Sequence, residues 1–436
     1  MVRRLGKVLV LVATNVSGSI SIRASSWRTR SGSGFRGAEA AEEASQKAEG
    51  NMKSAPRRTI RRVVFICTLY VLATASAIGR AAQQEKPLMA DDVFANIQVL
   101  HGLTVDEFMG TMGFISSSLA LNCSGCHDPR DQNSYALDNP RKQMARRMIL
   151  MVDAINKANF GGRRIVTCYT CHRGADRPKS IPSLVEQYSA PLDDDPNEVE
   201  LSPLSPPNGP SPDQVFDTYI KAIGGAERLA ALKSFVARGT YQGFDTAGTD
   251  VPVEIYGRFP NQRTIVVHLT PRVESLRVVD GQNAWNTSTG TLMAVPVVAL
   301  SGAELQGAKL EASLMFPGQI KQLLKNWTTG FATTLIDDRP VNVVQGTEAD
   351  DTPVKFYFDG ETGLLVRMLR YASTRIGLNP IQVDYADYRT VSGVKMPFMV
   401  TVTWTDGRSV YEFSEVEPNA RIDASRFARP VPPPGR

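Results

Sequence analysis

Histidine and cysteine are scarce in these 436 residues, with four of the first and five of the second. Residues 213–436 hold no cysteine, a single histidine (His268) and no nucleotide-binding or nucleophile motif. Their carboxylates are scattered, with no pair placed for acid–base work, so the sequence offers no catalytic constellation there. Apart from one short motif discussed below, no internal repeat is present. A basic excess is also missing once the N-terminus is set aside. Residues 1–62 carry 13 Lys/Arg against 4 Asp/Glu, and the remainder carries 36 against 40, or −4. The formal +5 of the whole chain therefore gives no reason to expect a nucleic-acid partner.

The N-terminus reads as two layers. Residues 1–51 are rich in Arg, Ser, Gly and Ala, and their one apolar run, Val8–Ala13, is too short to span a bilayer. They read as a disordered extension, or one created by a start codon assigned too early. Met52-Lys53 then opens an export signal over 52–80. Its basic segment holds Arg57, Arg58, Arg61 and Arg62, its apolar segment runs Val63–Ala73, and Ala75-Ser76-Ala77 is the expected cleavage site. An uncleaved membrane anchor is the alternative. Cys67 lies in the apolar segment behind Ile66, a residue too large for the position before a lipidated cysteine, so it reads as part of the leader. The periplasm follows as the expected location, with membrane association as a variant.

The other four cysteines form two pairs, each followed at once by histidine: Cys123-Ser124-Gly125-Cys126-His127 and Cys168-Tyr169-Thr170-Cys171-His172. Two thiols at this spacing reach the two vinyl groups of one haem, and the adjoining imidazole ligates its iron. A Cys₄ zinc ribbon separates its pairs by roughly 15–20 residues, whereas 41 lie between Cys126 and Cys168. Thioredoxin-like pairs need a βαβ setting that the surrounding sequence lacks. Neither alternative accounts for the two histidines. The expectation is two covalently bound haem c groups.

Each iron then needs a sixth ligand. A helix over Thr104–Leu119, opened by the capping box Thr104-Val105-Asp106-Glu107, carries Met109 and Met112. A second helix runs from Asn139 as N-cap and Pro140 in the first turn to Ala158, before Gly161-Gly162. It carries Met144, Met148, Met151 and Ile155 at i, i+4, i+7 and i+11. Such a stripe is more often core than ligand, and spacing does not choose among the five methionines. His101 is a further candidate, although an exposed histidine at a helix end is its plainer reading. Arg141, Lys142, Arg146, Arg147, Arg163, Arg164 and Arg173 are candidates to pair with haem propionates, or else form a solvated face.

Residues Val93 to Leu184 resemble the cytochrome c subunit of photosynthetic reaction centres. The resemblance is carried by Asp106 to Gly113 (Asp-Glu-Phe-Met-Gly-Thr-Met-Gly), Ser118 to Cys123, Ala145 to Met151 and Val166 to Gly174. In that family a preceding helix donates a methionine sulfur to each haem, which implies Met112 with His127 and Met148 with His172 as axial pairs. Met109, Met144 and Met151 then pack around the haem edges. The family's subunit typically has four haems and a lipid-anchoring cysteine. This chain has two motifs and no such cysteine, so the resemblance carries the fold and ligand scheme rather than a part in photosynthesis.

Nine prolines between Pro178 and Pro212 and the run Asp193-Asp194-Asp195 suggest an extended linker over 188–212. Beyond it, a helix at Gln214–Lys233 broken at Gly224-Gly225 precedes β-type runs at Phe235–Tyr241, Val251–Tyr256, Arg263–Leu269 and Leu276–Val279. Others follow at Val341–Gln345, Val354–Phe358, Leu364–Tyr371 and Phe398–Thr405, with a hairpin turn from Phe358 to Gly363. A helix is expected at Pro317–Trp327. Period-2 alternation suggests an antiparallel sheet with one face buried and one open. The pattern weakly resembles periplasmic lipoprotein-carrier half-barrels, which implies a lipid or other apolar ligand, although the apolar strands and Ala312–Pro317 suit an ordinary core equally well.

The expected protein is multidomain: a mainly α dihaem cytochrome region at 85–187 followed by an α+β antiparallel half-barrel at 213–436. Full axial ligation by His and Met leaves no open iron position. Single-electron transfer between redox partners, a membrane-bound complex among them, is thus favoured over catalysis. A dihaem peroxidase, or a ligand-binding half-barrel with a haem sensor, are the alternatives.

Overall fold

The computed structural model describes residues 85–431 apart from 129, 190–198, 200, 202–208, 288–294, 331–334 and 350. The expected leader with Ala75-Ser76-Ala77 and Cys67, the extension 1–51 and most of the 188–212 linker lie outside the described residues. Ala82–Arg436 forms one compact unit.

The first part is built from helices: α1 (Ala90–Val93), α2 (Val105–Leu119), α3 (Pro140–Asn159), α4 (Cys168–His172) and α5 (Leu184–Tyr188). Their ends sit where local chemistry puts them. Thr104 caps α2 through a complete capping box with Glu107, and Ala120 closes it in the left-handed region. Asn139 caps α3 at the Lys142 amide with Pro140 in the first turn, and Gly161 and Gly162 follow with positive φ.

From residue 212 the chain changes character. Helices α6 (Pro212–Ala222) and α7 (Ala226–Ala231) flank the expected break at Gly224-Gly225. Among the described residues the strands then form one 14-stranded antiparallel sheet. In chain order they are β1 (Ser234–Gly243), β2 (Val251–Arg258), β3 (Gln262–Thr270), β4 (Val273–Val279), β5 (Ala284–Thr287), β6 (Val297–Ala299) and β7 (Lys325–Thr329). Then come β8 (Leu335–Ile336), β9 (Arg339–Thr347), β10 (Pro353–Asp359), β11 (Leu365–Ser373), β12 (Leu378–Val391), β13 (Val394–Trp404) and β14 (Gly407–Pro418). The spatial order is β6-β5-β4-β3-β2-β1-β14-β13-β12-β11-β10-β9-β7, with β8 beside β9. The first strand therefore pairs with the last, Phe235 opposite Pro418 through to Gly243 opposite Ser409. The β10–β11 hairpin turns as expected, with Gly363 at φ 69°.

Two expectations are corrected. Pro317–Trp327 is not a single helix: Pro317–Gln322 is a 3₁₀ segment, and Trp327 belongs to β7. The inserted helix is instead α8 (Gly302–Leu314), where no helix is expected from the sequence. It buries Leu305, Gly307, Ala308, Leu310, Ala312 and Leu314, which lie on more than one side, and so shows little of the single stripe that marks an amphipathic helix.

The main core lies on one face of the sheet, where Phe235, Val253, Ile265, Phe356, Phe358, Met368 and Phe413 meet Phe216 and Tyr219 of α6 and Leu310 and Leu314 of α8. The other face is not open throughout. Val199 and Leu201 pack on Val343, Tyr357, Leu369 and Tyr371, and Ile422 and Phe427 cover Val236, Tyr256 and Val266. Both faces are thus covered in patches, which is why β10 is buried at all seven positions.

Candidate functional site

In the first motif, Cys123–Gly125 forms a 3₁₀ turn, and the His127 amide donates to the Cys123 carbonyl (2.9 Å), so both thiols and the imidazole leave one turn. The second motif is helix α4 itself, capped by Thr167 in a capping box with Thr170 and ended by Arg173 at φ 48°. His172 Nδ1 lies 3.0 Å from the Ala175 carbonyl. Because a carbonyl only accepts, Nδ1 carries the proton, and Nε2 is the nitrogen presented for a metal. The His127 ring stacks on Tyr135 (centroids 4.6 Å apart, 18° between planes), and its buried Nδ1 makes no close hydrogen bond among the described residues. Burial, helped by Lys142, lowers the His127 pKa and favours the neutral imidazole, the form able to ligate a metal. Cys123 and Cys171 are exposed thiols and Cys126 and Cys168 are half-buried. Burial pushes the last two thiols up.

Helix α3 holds both motifs. At its start, Asn139 Nδ2 donates to the Cys126 carbonyl (2.7 Å) and Arg141 Nη1 donates to that of Gly125 (2.9 Å). Near its end, Asn156 accepts from the amides of Ile165 and Val166 (3.2 and 2.9 Å) and donates to the Val166 carbonyl (2.8 Å), just before Thr167 and Cys168. The two asparagines are about 25 Å apart along the helix axis at 1.5 Å per residue. Asn156 was not singled out from the sequence. Its only signal is a polar residue on the inward side of a helix, at Ile149-Val152-Asn156.

That inward face is not the methionine stripe. Met144, Met151 and Met109 are 46%, 43% and 41% exposed, whereas Met112 and Met148 are half-buried. The stripe is therefore not core but an outward apolar surface. Of the exposed large apolar side chains among the described residues, thirteen lie between Leu88 and Tyr188, and only Phe244 and Val431 lie elsewhere. A concentrated apolar surface beside two thiol pairs and two imidazoles fits a bulky apolar cofactor that would cover it.

The remaining candidates separate. His101 is bound to Asp91 (2.6 Å) on an exposed turn, and His268 bridges Glu274 (3.1 Å) and Glu254 (3.6 Å) on the sheet. Of the basic residues, Arg146 pairs with Asp138 (2.6 Å), Lys142 donates to the carbonyls of Ser134, Tyr135 and Leu137, and Arg164 donates to Thr374 and Ser373. Arg147 reaches the Met144 sulfur at 3.8 Å, and Arg163 and Arg173 are exposed. Among the described residues no three His, Cys, Asp or Glu side chains converge as a metal-ligand set. The four cysteines thus do not form one tetrahedral centre.

Residues 66–195 match the family model described as photosynthetic reaction centre cytochrome C subunit. The reaction center cytochrome c subunit of Roseobacter denitrificans is 39% identical over 101 residues, covering 21% of this chain and 27% of its own length. That of Thermochromatium tepidum is 41% identical over 96 residues, covering 21% and 23%. The chain spans about a quarter of the length of the curated relatives it matches. Among solved structures, a LolA superfamily protein from Nitrosomonas europaea aligns with a TM-score of 0.35 at 12% identity, over 50% of this chain and 97% of that one. A putative outer membrane lipoprotein-sorting protein domain from Vibrio parahaemolyticus gives 0.34 at 10% identity, over 49% and 97%. Over residues 66–195, where both haem-type motifs lie, the chain is similar to the photosynthetic reaction centre cytochrome c subunit family.

Proposed function

We propose that this protein is an exported dihaem c-type cytochrome that carries single electrons between redox partners in the periplasm. The observation that supports it most is the arrangement around α3. Two Cys-x-x-Cys-His turns are tied to one helix, His172 is fixed through Nδ1, and Met144 and Met151 of the methionine stripe face outward. Bound haem would supply the iron centre that cycles between two oxidation states. The chain's own part is to hold it: Cys123 and Cys126 with His127 at one site, and Cys168 and Cys171 with His172 at the other. Met112 and Met148, the two half-buried methionines of the five, are the proposed sixth ligands. Neutral His/Met ligation raises the reduction potential and closes the iron to substrate.

The domain boundaries carried by this reading are 85–187 for the cytochrome region and 213–436 for a half-barrel. Phe216 and Tyr219 of α6 and Leu310 and Leu314 of α8 pack against the inner face of that half-barrel. The partner is a redox protein, with a membrane-bound complex the first to try.

Intact mass after expression with haem-maturation machinery and an unaltered N-terminus tests the reading. The expected mass is the chain from near Ile78 plus two haems. Exchanging Cys123 and Cys126 for serine should leave one haem and not zero. A wild-type mass without haem would overturn the proposal and return the cysteines to other chemistry.

A further inference from the structure

We infer that the β11–β12 hairpin tip and the N-terminus of α8 position helix α2, and through it the methionine of the first haem, so that the sheet is a working part of the redox centre. The inference rests on the dihaem reading above. It begins with the two faces of α2. Phe108, Met112 and Ile115 turn into a cluster with Leu100, Leu103, Ile149 and Cys168. Asp106, Gly110, Gly113 and Phe114, at i, i+4, i+7 and i+8, form a second stripe that meets the start of α8 and the sheet, and Phe114 also belongs to that cluster.

Each position of that stripe has its own contact. Asp106 accepts from the Ser301 amide (2.6 Å) and hydroxyl (2.8 Å) at the start of α8, all of it buried. Asn379 Nδ2 donates to the Gly110 carbonyl at 3.0 Å. A Cβ on Gly113 would come within 3.5 Å of the Asp406 carboxylate in the β13–β14 turn. The Phe114 ring lies across Gly377 so closely that a Cβ there would be 2.2 Å from its Cζ. Beside it, Ile376 is 3% exposed and belongs to the same cluster that holds Met112 and Cys168. The tip is fastened on its far side as well, by Arg375 to Asp153 of α3 (3.0 Å) and by Arg164 to Thr374 and Ser373.

The two glycines of α2 weaken an isolated helix. Here they let loop backbone and short side chains approach the helix directly. A thioether on three rotatable bonds is a weak, adaptable ligand. Whether its sulfur stays on iron depends on where the backbone holds it. A loosened helix admits water to compete for that iron position, and loss of methionine lowers the potential.

The test uses the full chain, haem-loaded, with Asn379→Leu and Gly377→Ala. Asn379→Leu keeps most of the side-chain volume and removes the bond to Gly110. The expected result is a lowered midpoint potential and a weakened methionine–iron charge-transfer band for one haem, with the other unchanged. Amide exchange across Val105–Leu119 should accelerate, both in the loaded chain and in one whose four motif cysteines are serine. Gly377→Ala should act in the same direction and more strongly, and if it does not fold Asn379→Leu decides alone. Potentials and α2 exchange equal to wild type would overturn the inference, whether or not the melting temperature falls. If the wild-type chain takes up no haem, the dihaem reading fails by mass, and exchange in the haem-free chain still decides whether the tip positions α2.

Discussion

Glu311 shows how a single side chain organises the inner face of the sheet. It lies between Arg263 (2.9 Å) and Arg370 (2.9 and 3.1 Å), with Arg277 close by. Burial alone would raise its pKa, but the guanidiniums of Arg277, Arg370 and Arg263 outweigh that and hold the carboxyl far below the usual carboxylate range. A depressed folded value means that the stabilisation is complete above the unfolded value of about 4.3 and is lost as pH falls below it. Urea unfolding should therefore be flat in pH near neutrality and weaken below about pH 4.5, by up to roughly 1.4 kcal/mol per unit from this group. Glu311→Gln should cost about 3–5 kcal/mol at pH 7, because it removes the carboxylate that Arg263, Arg277 and Arg370 share and leaves Arg370 with the more distant Glu304 (3.5 Å). It should also remove that share of the acid dependence. A variant that unfolds like wild type at pH 7 would show the cluster to be energetically idle.

At the scale of elements, Thr104 has two duties. It caps α2 at the Glu107 amide, and its hydroxyl meets Asp106 (2.6 Å) and Ser301 (2.7 Å). Thr104→Ala should destabilise the chain by about 1–2 kcal/mol, and Thr104→Ser should restore most of it, as read by denaturant midpoints. The cap was legible in the sequence, as were α3 with its Asn139-Pro140 start, most of the strands and the β10–β11 hairpin. Each depends on neighbours within a few residues. Helix α8 was not legible, for the opposite reason. Gly307, which argues against a helix interior locally, is there because a Cβ would come within 2.2 Å of the Arg370 guanidinium on β11. The same limit hid the site's supports. The motifs can be read from spacing, and a choice among their methionines only from the resemblance, but Ile376, Asn379 and Ser301 join α2 across separations such as the 269 positions from Gly110 to Asn379. No local pattern marks them.

At the scale of the molecule, the cytochrome region and the sheet share a core at Ile376, a buried hydrogen-bond cluster at Asp106 and ion pairs at Arg375. Regions joined only by a linker unfold independently. Regions joined in this way should unfold together. Haem absorbance and tryptophan fluorescence, the latter reporting Trp285, Trp327 and Trp404 on the sheet, should give coincident thermal transitions. Two separated midpoints would show the shared core to be weak. The same long span also orders events in time. Synthesis proceeds from the N-terminus at roughly 5–20 residues per second, so Asn379 leaves the ribosome on the order of tens of seconds after Gly110. In the exported chain proposed above the same order would hold on crossing the membrane, where both thiol pairs would arrive before the clamp on α2 and lie open to haem attachment. The hairpin tip, and after it the β13–β14 turn with Asp406, would shut the assembly behind it.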